Sequence, residues 1–146
     1  MESFHKEDLH GLIMVKDSVT ADSTYVVSNI LKLALADSSV LMVTSKHSTA
    51  HYSALLRRLN LNVSKIASDG RFKVLNTRNF SRLDPALDMY IINLEVLMAA
   101  ISTDIRILRG DTGCNCTVVF DDVVVRFLFC WYELLVIVVI VGLSSA

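Results

Sequence analysis

An α/β fold with a mainly parallel sheet in three layers is predicted by three observations. Short apolar runs at Leu12 to Val15, Val40 to Val43, Phe72 to Leu75 and Thr117 to Phe120 alternate with segments whose apolar residues recur at helical spacing. The run after Ser39 is uninterrupted, as in strands covered on both faces, rather than alternating apolar with polar. Finally, strand and helix alternate along 146 residues without an internal repeat or low-complexity linker. That arrangement fits one domain whose crossovers lay helices on both faces of the sheet.

Taken in order, the first strand is Gly11 to Val15. A helix follows from Asp22 or Ser23, both good N-caps, and Val26, Val27, Ile30, Leu31, Ala34 and Leu35 form its apolar stripe. Asp37-Ser-Ser39 ends it, and Val40 to Thr44 is the second strand. After a polar loop at 45–50, a short helix turns Tyr52, Leu55, Leu56 and Leu59 inward and Arg57 and Arg58 outward, ending at Asn60-Leu-Asn62. A turn at Ser68-Asp-Gly70 leads into the third strand. Asp84-Pro85 reads as an N-cap followed by proline at the first helical position. The apolar residues at 87, 91, 94, 98, 101, 105 and 108 continue that reading as one long helix. The loop from Asp111 to Cys116 precedes the fourth strand, which closes on Asp121-Asp122.

The first strand–loop–helix unit has the outline of a phosphate-binding loop without its working residues. In the frame G-x-x-x-x-G-K-S/T, the glycine positions fall on Lys16 and Ala21, the lysine position on Asp22, and only Ser23 fits. A carboxylate beside a triphosphate repels where an ammonium attracts, so nucleotide hydrolysis is not expected, and neither a catalytic residue nor a cofactor is assigned. An ordinary strand–turn–helix is the plain alternative. The fourth strand, with Asp121 and Asp122, has the form of a Walker B strand whose acid would hold Mg²⁺. With the phosphate loop empty, a structural role is the simpler expectation.

Net charge is −1, so the whole chain carries no electrostatic footprint for nucleic acid or anionic lipid. Arg57, Arg58, Lys65, Arg71, Lys73, Arg78 and Arg82 make the middle locally basic, as phosphate contacts or, more commonly, a solvated face would require. Three cysteines and a polar opening segment predict a reducing cytosolic or nuclear setting. Cys114 and Cys116 lack a second pair or a nearby histidine at zinc-site spacing, so no metal site is expected. His51 and Tyr52 follow the second strand's C-terminal end, where open α/β sheets bind ligands. They are candidates for a contact with a neighbouring subunit or RNA, or simply a locally packed helix start.

Several of these segments together resemble the Elongator complex protein 6 family. They are Leu12-Ile-Met-Val-Lys-Asp-Ser-Val19 with its helix, Ser48-Thr-Ala-His-Tyr-Ser53 leading into Leu55 to Leu59, Asp69-Gly-Arg-Phe72, and Thr117-Val-Val-Phe-Asp-Asp122. The likeness covers roughly residues 9 to 122, with the His51-Tyr52 pair and the glycine-less first loop its most specific parts. It implies a RecA-like domain without functional nucleotide-binding motifs. It also implies a six-membered ring with Elongator proteins 4 and 5 that docks on the catalytic Elongator subunits and binds tRNA during wobble-uridine modification. The chain would be a non-catalytic accessory subunit of the cytoplasm and nucleus, with His51, Tyr52, Arg57 and Arg58 as candidate subunit or tRNA contacts.

The likeness stops at Asp122. Residues 1–122 therefore read as the RecA-like domain and 123–146 as a divergent hydrophobic tail, as in a truncated or alternatively spliced product. Phe127 to Leu143 is 17 residues broken only by Glu133, near the lower limit for a membrane-spanning helix. Arg126, Trp131 and Tyr132 favour such an anchor, whereas Glu133 at the midplane would cost about 2.5 to 3.5 kcal/mol. The β-branched run from Ile137 to Val141 favours a buried strand. Two other functions remain as rivals: a small P-loop-type nucleotide-binding enzyme and a tail-anchored membrane protein.

Overall fold

In the computed structural model of the chain, residues 11–16, 24–45, 47–110, 115–121 and 136–141 are described. The elements within them are β1 (Gly11–Lys16), α1 (Thr24–Asp37), β2 (Ser39–Thr44), α2 (Thr49–Arg58), α3 (Val63–Ser68), β3 (Phe72–Asn76), β4 (Ser81–Asp84), β5 (Met89–Ile92), α4 (Leu94–Arg109), β6 (Cys116–Asp121) and β7 (Val136–Val141). A 3-10 turn, Thr77–Phe80, joins β3 to β4.

All six residues of β2 are buried, and its alternate side chains feed two separate cores. Val40 and Met42 pack with Ile30 and Leu31 of α1, Tyr52 and Leu56 of α2 and Ile66 of α3. Leu41 and Val43 pack on the other face with Leu97, Ile101 and Leu108 of α4. Three layers result, with α1, α2 and α3 on one side of the sheet and α4 on the other. The expected stripe of α1 faces the first core, although its Val26 is only half-buried. Arg71 finishes that helix by donating from its guanidinium to the carbonyl of Leu35, one of the acceptors a helix C-terminus leaves open, and to that of Ser38 just beyond it.

The main sheet has the order β1-β7-β6-β2-β3. Parallel pairing joins β6 to β2 and β2 to β3. β7 is antiparallel to both β1 and β6, so β1 runs in the same direction as β6 but one strand removed. Four strands do share a direction, yet the sheet is mixed rather than wholly parallel. The connections β1-α1-β2 and β2-α2-α3-β3 move one way across the first face, and β3-α4-β6 moves back across the second, so all three have the same hand.

Two expectations are corrected. The long helix from Asp84-Pro85 is a β-hairpin followed by a shorter helix. β4 and β5 pair antiparallel, with Leu83 opposite Tyr90. Asp84 Oδ1 accepts the Ala86 N–H at 2.9 Å, and Asp88 adopts φ +47° in the turn. An Asp-Pro pair suits a turn start as well as a helix start, because both need an acceptor side chain followed by φ near −65°. The helix begins instead after the cap Asn93, whose Oδ1 accepts the Val96 N–H at 3.2 Å. Its buried residues are Leu97, Ile101, Asp104 and Leu108, while Leu94 and Met98 of the expected stripe are exposed. Buried Asp104 meets Lys73 of β3 at 2.5 Å.

The second correction is α3. Asn60-Leu-Asn62 ends α2, with Asn60 at φ +59°, but it also starts a new helix, since Asn62 Oδ1 accepts the Lys65 N–H at 3.0 Å. Six residues with Ile66 alone buried are too few to display a period.

Part of the apolar tail pairs into the sheet, as Val136 to Val141 form β7 between β1 and β6. No helix of the described residues is long and apolar enough to cross a membrane, and 127–135 lie outside those residues. Val139 pairs with both Ile13 and Val119, so proline there removes a ladder donor from an interior strand. Val139→Pro is expected to abolish the cooperative thermal transition of the chain; an unchanged melt would remove β7 from this position. Leu56→Ala, at a fully buried site, should cost about 2–5 kcal/mol in urea unfolding, whereas Leu87→Ala in the exposed hairpin turn should stay within about 0.5 kcal/mol.

Candidate functional site

The parallel strands end together, and the site is built at that edge. Asp121, Thr44 and Asn76 stand in one row across β6, β2 and β3. This is the edge at which open parallel sheets receive ligands. The turn after β2 carries His47 and then Ser48, which caps α2. Ser48 Oγ accepts the His51 N–H at 3.3 Å, and its carbonyl accepts the same N–H at 3.1 Å. The His47 N–H reaches back to Thr44 Oγ1 at 3.4 Å.

Helical geometry then separates two neighbours in the first turn of α2. Tyr52 points inward and is 1% exposed, with its ring in the first core. Its hydroxyl donates to Oδ2 of Asp121, itself buried at the end of β6. A phenol and a carboxylate that would each be costly to bury alone satisfy one another. His51 points outward and stacks on His47, ring centroids 3.9 Å apart and planes within 11°. Tyr52 meets both imidazoles edge-on, at 5.3 Å from His51 and 5.9 Å from His47.

Partial burial, His47 and Arg58 hold the His51 imidazolium below its ordinary pKa, against the opposing pull of Asp121. Stacked rings keep their in-plane lone pairs in two nearly parallel planes, so the pair does not converge on one ion. No group of three His, Cys, Asp or Glu side chains suited to a metal occurs among the described residues. Cys116 lies in the second core, where burial pushes its thiol up to about 11. At that value it stays protonated and unreactive at neutral pH.

The expected site residues separate in space. Tyr52 is interior, where its hydroxyl ties α2 to the sheet. His51 and Arg58, seven positions apart, lie on one outward stripe of α2, and Arg57 is exposed beside it. Of the wider basic group, Arg71 closes α1 and Lys73, though exposed, pairs with Asp104; Arg57, Arg58, Lys65, Arg78 and Arg82 are the other exposed cations. Lys16 ends β1, whereas Ala21, Asp22, Ser23 and Asp122 lie outside the described residues. β7 stands between β1 and β6, so the end of the first strand is about 9.5 Å from the acid strand.

Sequence reasoning missed His47. The signal was its four-residue spacing from His51 across a serine cap, which brings two rings to one side of a helix start. Compared with family models, curated proteins and solved structures, the chain matches none.

Removing the phenolic hydroxyl tests what Tyr52 does. Tyr52→Phe keeps the ring in the core but leaves buried Asp121 without that donor, at an expected cost of about 1–3 kcal/mol in urea unfolding. A loss below about 0.5 kcal/mol would show that this hydrogen bond is dispensable.

Proposed function

We propose that the chain is a non-catalytic accessory subunit of an Elongator-type assembly. In this reading it forms a RecA-like ring with Elongator proteins 4 and 5 and acts in tRNA wobble-uridine modification without performing the chemistry. The observation that carries the non-catalytic part is the state of Asp121. This Walker B-like carboxylate is buried and engaged by the Tyr52 hydroxyl, so it is turned to holding α2 against the sheet rather than offered to a hydrated Mg²⁺. The first loop supports the same reading, because its frame has Asp22 where a phosphate-binding lysine would stand. Together with the order of family-like segments from 9 to 122, these features favour a P-loop-type scaffold used for assembly.

The outward stripe of α2 is the surface we assign to partner contact. His51 and Arg58 lie on it, both exposed and outside the hydrophobic core clusters.

Co-expression with Elongator proteins 4 and 5, followed by size-exclusion chromatography, tests the proposal. Co-elution at ring size is expected; separate elution would overturn the assembly reading. His51→Ala should weaken association about tenfold while the domain stays folded. Unaltered co-elution would remove His51 from the interface. ATP turnover that disappears on Asp121→Asn, in a variant that still folds, would favour the nucleotide-binding enzyme instead.

A further inference from the structure

We infer that the His47–His51 stack is a proton-operated clasp: it closes the β2–α2 turn while at most one ring is charged, and opens when both are. The inference is independent of the assembly reading, because it rests on the geometry and charges of the turn itself.

Stacked at 3.9 Å and nearly parallel, two neutral imidazoles or one imidazole and one imidazolium are in favourable contact. Two imidazoliums at that separation repel. The location adds to the penalty, because His51 lies in the first turn of α2, at the positive end of the helix dipole. The groups acting on the His51 ring come from each neighbouring element. His47 in the turn and Arg58 further along α2 oppose its charge, and Asp121 at the end of β6 favours it. Neither α1 nor α3, the other helices of that layer, contributes a charge to it. Asp121 does not restore the balance, because partial burial and His47 outweigh its pull.

The His47 N–H reaches Thr44 Oγ1 at 3.4 Å, and the His51 N–H is shared between Ser48 Oγ at 3.3 Å and the Ser48 carbonyl at 3.1 Å, so the ring contact adds to these bonds in closing the turn. When the rings part, Tyr52 loses the two edge contacts that cover it beside Asp121. The sign is set by linkage. A histidine whose folded pKa lies below 6.5 contributes stability that is full above the ordinary value and is lost as pH falls through the folded one. The clasp is therefore closed at neutral pH and opens on acidification.

Hydrogen exchange of the full chain at about pH 7.5 and about pH 5, corrected for intrinsic exchange, tests this at the amides of residues 47–55. Protection there is expected to fall about tenfold more than in β2 and β6. His47→Phe keeps a stacked ring with a single titratable partner, and that variant should lose the acid response. Equal protection at both pH values overturns the clasp, as does a His47→Phe variant that opens as the wild type does. Should that variant fail to fold, imidazole titration of the wild type by NMR decides. An anticooperative pair supports the clasp, and two independent titrations at the ordinary value overturn it.

Discussion

The burial of β2 on both faces is the constraint on which the rest of the architecture depends. A strand with every residue out of water needs apolar cover above and below, and one amphipathic helix provides only one layer. The chain meets this with α1, α2 and α3 against Val40 and Met42, and α4 against Leu41 and Val43. Parallel pairing of β2 with β6 and β3 then brings the ends of three strands into one row. The turn leaving the middle of that row carries His47, Ser48 and the start of α2. The candidate site therefore lies where core packing leaves the chain free to carry polar groups.

Tyr52 couples the two regions. Its ring belongs to the core that covers β2, and its hydroxyl reaches the acid at the end of β6. Apolar contact alone would let a short helix slide or rotate on the sheet. A buried phenol–carboxylate bond adds direction, because both groups lose their solvation and only one placement satisfies them. With Tyr52 fixed inward, its neighbour His51 must face outward, about 100° around the helix, where it meets His47. One inward tether thus determines which histidine face reaches solvent and which cations, Arg58 above all, share its side of α2.

Much of the fold was legible in the sequence where one period dominated. The stripe of α1 and the unbroken run of β2 admit few other readings, and both formed where expected. The hairpin was not legible, because Asp84-Pro85 satisfies the local rules of a turn and of a helix alike. An apolar spacing of three and four then carried the helix reading through the strand Met89–Ile92. Helix α3 was too short to show periodicity, though its cap Asn62 was visible. At the site, the His51-Tyr52 pair and Asp121 were recognisable as residues, but their division of roles was not. The Tyr52–Asp121 bond joins positions 69 apart, and only the strand order brings them together. The apolar tail was ambiguous between strand and membrane span because length and hydropathy do not carry register, and register places Val136 to Val141 within the sheet.

The position of β7 also bears on why an NTPase-like outline need not carry NTPase chemistry. Phosphate transfer needs a cradle of backbone donors and a metal-holding acid acting on the same few atoms. Here an antiparallel strand separates the end of β1 from β6, and the acid on β6 is taken up by a phenol. Each change alone would weaken such a site. Both features serve the fold: the acid orients α2, and a strand of the sheet lies beside β1. Two of the local cations also have structural partners, with Arg71 closing α1 and Lys73 pairing with buried Asp104. This edge still offers to solvent the outer face of α2, where a stacked histidine pair and two arginines stand on a helix that the core holds firmly in place.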